Sequence, residues 1–319
     1  MRQAGRTSPE YRKVRETLSF LELCKTPEVC TEMAMLARDR LQADAAIVFS
    51  DILCIVEPMG LPLDYRAGDG PCIDRPVRTS TDVDALIECD GAEALPFVME
   101  AVRQLRSALP PDIPLIGFAG APFTLASYMI EGGHSRDFST TKCFMHADPG
   151  AWHALMQKIV RITAGYLNAQ IASGVQAVQI FDSWVGHLSP DDYRQYVLPH
   201  TRELFLSIPA GVPAIHFATL TGTLLDAIGE TGADAVSIDF RTPLSTAWDL
   251  AGVRSIQGNL DPCSLLAPLE IVLAHADRVL AAEAGRPGHI MNLGGGLLPS
   301  TPFDHAIAFV EHVHERTSR

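Results

Sequence analysis

Short apolar segments alternate with longer amphipathic ones along most of the chain, and this alternation limits the fold more than any other feature. The apolar segments contain few polar residues, as expected for strands buried on both faces of a parallel sheet. Helices are predicted between them, and several begin at Pro or Asp and end near Gly. We therefore predict an α/β fold of right-handed βαβ units. The predicted strands are Ala45–Phe49, Pro114–Phe118, Val175–Phe181, Pro213–Phe217, Ala233–Ile238, Arg254–Gln257 and Ile290–Leu293, and the predicted helices include Pro27–Gln42, Leu95–Ala108, Pro149–Ser173, Pro190–Ser207, Thr221–Thr231 and Leu265–Ala284.

The repeated strand–helix order favours a closed (β/α)8 TIM barrel, which needs one strand more than the seven predicted. If Met1–Gln3 is the tail of that strand, the barrel closes with a first strand truncated at the N-terminus. The 319 residues fit one such domain, so we predict a single domain over residues 1–319. An open doubly wound sheet is the alternative, although no G-x-G-x-x-G turn follows an early strand. The irregular segment Leu61–Asp82 predicts a loop or hairpin outside the barrel.

The charge and the apolar content restrict the partners. With 25 basic and 38 acidic side chains the formal net charge is -13, which argues against nucleic acid or an anionic membrane as the main partner. No apolar run approaches the ~20 residues of a membrane span, and no secretory signal is present. The seven cysteines include no C-x-x-C pair, which predicts reduced thiols and no metal site. We predict a cytoplasmic protein.

Polar residues follow the predicted strands, at the end where barrel enzymes carry their chemistry. Any one of them also fits a helix cap, but the recurrence of Asp favours an active site. The run Gly294–Gly296 fits either a phosphate-binding loop or a tight turn. The polar strand-end residues are Ser50, Asp51, Asp182, Ser183, Thr219, Asp239, Asn259 and Asp261.

Two arginines near the start of the chain flank a turn of small residues. Arg2 and Arg6 enclose Gln3, Ala4 and Gly5. Because guanidinium groups bind carboxylates bidentately, this pattern predicts a site for an acidic ligand. A solvated, frayed terminus is the alternative interpretation.

Six sequence blocks, spread over nearly the whole chain, resemble the uroporphyrinogen decarboxylase family in identity and in order. They are residues 1–6 with Pro9-Glu10-Tyr11-Arg12, then 49–53, 117–133, 180–183, 257–262 and 292–294. The resemblance implies a single TIM barrel that needs no cofactor and is usually a homodimer. It also implies the reaction, which removes the four acetate carboxyl groups of uroporphyrinogen III to give coproporphyrinogen III in heme biosynthesis.

The resemblance implies roles for particular residues. Asp51 matches the carboxylate that accepts the pyrrole N–H groups and offsets the cation formed in the transition state. Arg2 is the second candidate catalytic residue, as a carboxylate ligand and a hypothetical proton donor, although the high arginine pKa opposes proton donation. Tyr128 and Phe181 would also fit the core. The predicted substrate-binding residues are Arg2, Gln3, Ala4, Gly5, Arg6, Asp51, Tyr128, Phe181, Ser183 and Gly295.

Three departures from the family pattern stand out. Gly295 occupies the position of a family histidine, so one polar interaction with a substrate carboxylate is missing and slower turnover is predicted, unless His187, His216 or His289 replaces it. Thr7 stands where the family usually has Tyr. The chain begins beside Arg2, so either the assigned start lies too late or the chain is a truncated paralogue.

Two other functions compete with the decarboxylase. A catalytically impaired paralogue that binds a tetrapyrrole would explain the missing histidine. A methyltransferase on the same barrel would need zinc held by a His-x-Cys pair and a distant Cys. The candidate position reads His216-Phe217-Ala218, without a cysteine, which disfavours the methyltransferase.

Overall fold

The computed structural model describes residues 3, 5, 7–66, 70–282 and 285–317. Within these residues seven parallel strands form one sheet, and two antiparallel strands form a separate hairpin. The strands are β1 Ala46–Ile47, β2 Leu63–Arg66, β3 Gly70–Ile73, β4 Leu115–Gly120, β5 Ala177–Asp182, β6 Ala214–Ala218, β7 Ala235–Ser237, β8 Ser255–Leu260 and β9 His289–Leu293. All seven predicted strands are confirmed, although β1 and β7 are shorter than predicted. The hairpin β2–β3 is the predicted excursion outside the main sheet.

Helices connect consecutive strands of the sheet. The helices of the described residues are α1 Pro9–Val14, α2 Phe20–Cys24, α3 Pro27–Leu41, α4 Ser80–Ala85, α5 Gly91–Ala94, α6 Pro96–Ala108, α7 Pro122–Glu131, α8 Ser139–Ala147, α9 Pro149–Ser173, α10 Pro190–Asp192, α11 Leu198–Leu206, α12 Leu225–Gly229, α13 Leu244–Ala251, α14 Leu269–Ala282 and α15 Phe303–Thr317. The predicted helix Pro190–Ser207 is divided, since a π-helical turn separates α10 from α11. No helix in the described ranges is long and apolar enough to cross a membrane.

The order of the strands in the sheet, β1-β4-β5-β6-β7-β8-β9, follows the chain without a reversal. A doubly wound sheet reverses its strand order at a switch point, so that alternative is wrong. A hydrogen bond between strands that are not neighbours shows that the sheet is curled. The Gln257 amide of β8 donates to the Gln179 side chain of β5 at 3.1 Å, across the concave face. The result is an α/β fold with a curled parallel sheet, of the kind found in TIM-like barrels.

The inner and outer faces of the sheet differ in what they bury. Phe118, Phe181 and Phe217 lie on three neighbouring strands, on the same face as Gln179 and Gln257. The ring centroid of Phe181 is 5.6 Å from that of Phe118 and 5.4 Å from that of Phe217. The alternate residues point to the helices and form the main hydrophobic core, as the period of two in a strand requires.

A cleft of about 570 Å³ separates the two edge strands, β1 and β9. Leu41 and residues 43–45 line one wall, residues 285–293 line the other, and α15 covers one side. The side chain of Gln3 bonds to the open edge of β1, because its Nε2 donates to the Ala45 carbonyl at 2.6 Å and its Oε1 accepts from the Ile47 N–H at 3.2 Å. Met1 and Arg2, which the eighth-strand prediction includes, lie outside the described residues.

Candidate active site

Loops at the carboxyl ends of the strands are joined by hydrogen bonds into one rim. Thr219, after β6, donates its hydroxyl to the Ser183 carbonyl, after β5, at 2.7 Å. The next residue, Leu220, donates its N–H to the Asp239 carboxylate, after β7, at 2.6 Å. The Gly294 N–H, after β9, donates to the Leu260 carbonyl of β8 at 2.7 Å. The strand-end residues predicted to form an active site therefore share one edge of the sheet.

Asp51 lies four residues beyond β1, at the same end of the sheet. Its Oδ1 accepts the Leu53 N–H at 2.9 Å and closes an Asx turn. This turn is not a helix cap, since the short 3-10 helix Cys54–Val56 begins after Leu53 and has no side-chain cap. This bond holds the half-buried carboxyl group in one orientation. The alternative interpretation of Asp51 as a helix cap is therefore wrong, and the Asx turn fixes the orientation of its carboxyl group.

Three titratable groups near Asp51 are held in their neutral forms. Burial raises the pKa of the Tyr65 phenol, and the charge of Asp51 raises it further. A hydrogen bond with the Cys54 thiol, together with burial, raises the pKa of the Cys24 thiol. Burial likewise raises the pKa of Tyr166. Tyr65, Cys24 and Tyr166 thus carry no charge at neutral pH.

The turn that carries the predicted arginines is described only in part. The Gly5 carbonyl accepts the Ser8 N–H at 3.0 Å, and the Gln3 side chain is bonded to the edge of β1. The turn is therefore attached to the strand that leads to Asp51. Arg2, Ala4 and Arg6 lie outside the described residues.

Three further predicted residues lie around the carboxyl ends of β4 and β5. Tyr128, on α7, is half-buried with its ring 5.8 Å from the Trp184 ring. Phe181 is half-buried between two phenylalanine rings at the end of β5, and the loop residue Ser183 has its carbonyl fixed by Thr219. Neither Tyr128 nor Phe181 is fully enclosed in the core, so both retain surface for a ligand.

Gly294 and Gly295 follow β9 and touch neighbouring loops of the rim. A Cβ on Gly294 would lie 2.4 Å from the Phe240 nitrogen, so only glycine allows the two backbones to approach this closely. A Cβ on Gly295 would lie 3.3 Å from Cγ of Pro262. This close packing favours the tight-turn interpretation of the glycine run over a phosphate-binding loop.

Comparisons with known proteins give the family. Residues 1–316 match the model of the family described as uroporphyrinogen decarboxylase (URO-D). The uroporphyrinogen decarboxylase of Salinispora tropica is 50% identical over 321 residues, which cover 100% of this chain and 86% of that protein. The one from Sorangium cellulosum is 49% identical over 316 residues, covering 98% of this chain and 90% of that protein.

The chain belongs to the uroporphyrinogen decarboxylase family.

Solved structures support the fold. A methyltransferase from Methanosarcina mazei superposes with a TM-score of 0.77 at 20% identity, covering 94% of this chain and 88% of that one. At this identity the likeness concerns the fold alone. In the described ranges no group of three or more His, Cys, Asp or Glu side chains is arranged to hold a metal ion.

The three histidines that the sequence offers as replacements for the histidine expected at position 295 lie in different parts of the fold. His216 is fully buried on the outer face of β6, 3.6 Å from the Asp182 carboxylate. His289 begins β9, at the opposite end of that strand from Gly294, and contacts the Gly258 carbonyl at 2.7 Å. His187 alone of the three belongs to a loop at the carboxyl end, with its ring 4.8 Å from that of Phe138. Burial lowers the pKa of His187, which disfavours the cationic form that best binds a carboxylate.

Sequence reasoning missed Phe240 and Arg241 on the loop after β7. Asp239 is among the predicted polar strand-end residues, and Arg241 follows it by two positions. A basic residue shortly after a strand-end carboxylate is a weak signal by itself. The contact between this loop and Gly294 gives it weight, and that contact depends on the tertiary structure.

Proposed function

We propose that this protein is a uroporphyrinogen decarboxylase, which removes the four acetate carboxyl groups of uroporphyrinogen III and releases coproporphyrinogen III. The observation that carries this proposal is the family match over residues 1–316, together with Asp51 held at the carboxyl end of β1. The curated relatives, at 47–50% identity, carry the same name.

The proposed chemistry uses the substrate as its own electron sink. A proton added to a pyrrole ring carbon leaves a positive charge shared with the ring nitrogen. The bond from the side-chain CH₂ to the carboxylate then breaks, carbon dioxide leaves, and the bonding electrons neutralise that charge. A second proton completes the methyl group while the first leaves the ring, so each cycle consumes one proton. No cofactor is required in this scheme.

The protein's part is to place charges around this reaction. Asp51 accepts pyrrole N–H groups, and its negative charge stabilises the cation as it develops. Because Tyr65, Tyr166 and Cys24 are held neutral, none of the three competes with Asp51 for the cation. Arg2 and Arg6 bind substrate carboxylates, with Gln3, Ala4 and Gly5 lining the same turn. Tyr128 and Ser183 donate to further carboxylates, and Phe181 packs on the macrocycle.

The cleft between β1 and β9 is proposed as the position of an eighth strand, which would complete a single (β/α)8 domain. Two features support this. The two edges face each other across the cleft, and Gln3, the last residue of the predicted eighth strand, lies at this edge of β1, where its side chain bonds to the Ala45 carbonyl and the Ile47 N–H. A homodimer and a cytoplasmic location, both implied by the family, stay predictions. Light scattering of the purified protein measures its oligomeric state and so tests the homodimer.

The test is direct. The purified protein is incubated in the dark with uroporphyrinogen III kept reduced, and the products are oxidised and separated by number of carboxyl groups. The proposal expects hepta-, hexa-, penta- and finally tetracarboxylic porphyrins, and strongly reduced turnover in Asp51→Asn. Gly295 favours one second candidate, a paralogue that binds tetrapyrroles without turnover. Tight uroporphyrin binding with no release of carbon dioxide would select that candidate.

A further inference from the structure

Arg241 is rigidly held on the rim by its own loop. The Asp239 carboxylate, 3% exposed, accepts the backbone N–H of Arg241 on Oδ1 and its Nη1 on Oδ2, both at 2.9 Å. The same carboxylate accepts the Leu220 N–H, so it anchors the loop to its neighbour. The side chain of Asn259 holds this loop from the other side, with bonds to the carbonyls of Asp239 and Thr242.

The guanidinium group of Arg241 is ordered but still accessible. It stacks on the Phe240 ring, with Cζ 4.4 Å from the ring centroid, and the side chain is 50% exposed. A guanidinium has five N–H donors in a planar fork, and among the described residues Asp239 engages one of its terminal nitrogens. The stacking and the Asp239 bond fix the group in advance, so a bound carboxylate loses less conformational entropy.

The loop of Arg241 lies between two parts of the proposed substrate site. On one side, Leu220 and Thr219 link Asp239 to the carbonyl of Ser183. On the other side, the backbone of Phe240 lies against Gly294, the neighbour of Gly295. The loop that carries Arg241 is thus in contact with the glycine run that contains Gly295.

We propose that Arg241 binds a carboxylate of the substrate and thereby compensates for the histidine that this chain lacks at position 295. This inference rests on the proposed function, because it assigns a subsite within the same pocket. A ligand with eight carboxylates needs cations at several points around its edge, and the net charge of -13 means that they must be supplied locally.

Arg286 offers a matched control. It also stacks on an aromatic ring, with Cζ 5.4 Å from the centroid of Trp248, and it also pairs with a nearby carboxylate, that of Asp249. Its side chain is 47% exposed. It precedes β9, however, and therefore lies at the opposite end of the strands from the rim.

The experiment measures both binding and turnover. Dissociation constants for uroporphyrin are determined by fluorescence for the wild type, Arg241→Gln and Arg286→Gln, and KM and kcat are measured with uroporphyrinogen. Loss of a charge-assisted hydrogen bond to the ligand should raise Kd and KM by about 10-fold or more in Arg241→Gln. Arg286→Gln removes no such bond, so its Kd and KM should rise by less than about twofold. Equal values for Arg241→Gln and the wild type would overturn the inference.

A second measurement does not depend on the stability of the variant. The wild-type protein is treated with phenylglyoxal, with and without uroporphyrin, and modified arginines are located by peptide mapping. We expect uroporphyrin to protect Arg241 and to leave Arg286 reactive. Equal modification of Arg241 in both samples would refute the subsite. A wild type that binds uroporphyrin but releases no carbon dioxide would refute the proposed function instead, and Arg241 would then be judged on binding and protection.

Discussion

The substitution Gly294→Ala tests whether the contact between the loops after β7 and β9 positions the site. The added methyl group would lie 2.4 Å from the Phe240 nitrogen, 2.9 Å from the Asp239 carbonyl carbon and 3.0 Å from the Phe240 Cα. All three are backbone atoms, so no side-chain rotation relieves the clash. Asp239 is itself held by Leu220 and Asn259, which resist displacement of the loop.

The size of the effect follows from these distances. Ordinary contact begins at 3.4 Å, so the closest atom must retreat by about 1.0 Å, the difference between 3.4 and 2.4 Å. Overpacking of this kind typically lowers the free energy of unfolding by about 1–3 kcal/mol. A displacement of about 1 Å in a positioning loop costs roughly 100-fold in rate. We therefore expect kcat/KM for uroporphyrinogen to fall by about two orders of magnitude.

Gly296→Ala is the control, because a Cβ at that position meets nothing within 4 Å. The two variants carry the same change in side chain and in unfolded-state entropy. The assay compares kcat/KM, from chromatography of the product porphyrins, with stability, from urea unfolding. If Gly294→Ala retains the kcat/KM of Gly296→Ala, the two loops do not position the site through this contact.

Three further predictions concern Asp51, Gly295 and His200. Asp51→Asn should lower kcat by about 100- to 1,000-fold, because the charge that offsets the developing cation is removed. The amide oxygen can still accept the Leu53 N–H, so the unfolding midpoint should stay unchanged. Full turnover at that unchanged midpoint would refute the role of the charge. Gly295→His should raise kcat/KM, because its Cβ needs only a small shift of Pro262, and the rise should be larger in the Arg241→Gln background. Steady-state kinetics of the wild type, the two single variants and the double variant form a double-mutant cycle. An unchanged or lower kcat/KM for Gly295→His counts against this prediction. His200 is expected to destabilise the protein in acid: burial lowers its pKa from 6.5 to about 4, and repulsion from His153, 2.8 Å away, adds to this. The unfolded chain therefore gains a proton below pH 6.5 that the folded chain does not take up until about pH 4, which removes about 2 kcal/mol of stability between pH 7 and pH 5. Urea unfolding at both values should show this decrease in the wild type, and the same decrease in His200→Gln would contradict the assignment.

The net charge of -13 is compatible with an anionic substrate because the relevant field is local. Arg241 is held at the rim by a buried carboxylate. Arg2 and Arg6, which lie outside the described residues, are predicted from the sequence to bind substrate carboxylates. Acidic side chains elsewhere on the surface are screened from the rim by salt within about 10 Å.

The sequence by itself determined the strand and helix pattern and the family. Runs of apolar residues buried on both faces distinguish parallel strands without any tertiary information, and all seven predicted strands are present. The family blocks placed Asp51, Ser183 and Gly295 beyond strand ends, where the structure has them. Segment ends were predicted less accurately, since the predicted helix Thr221–Thr231 is reduced to Leu225–Gly229, preceded by a turn in which the Leu224 N–H bonds to the Thr221 carbonyl.

Only the tertiary structure decided which strand-end residues meet and which way they face. His216 and Phe217 are adjacent in sequence, yet His216 is buried against the helices while Phe217 contacts Phe181 on the inner face. Arg241 and Gly294 are more than fifty residues apart in the sequence, and the curl of the sheet brings their loops into contact. Side-chain periodicity is a local property, whereas the pairing of loops depends on strand register and sheet curvature, which arise only when the whole sheet has assembled.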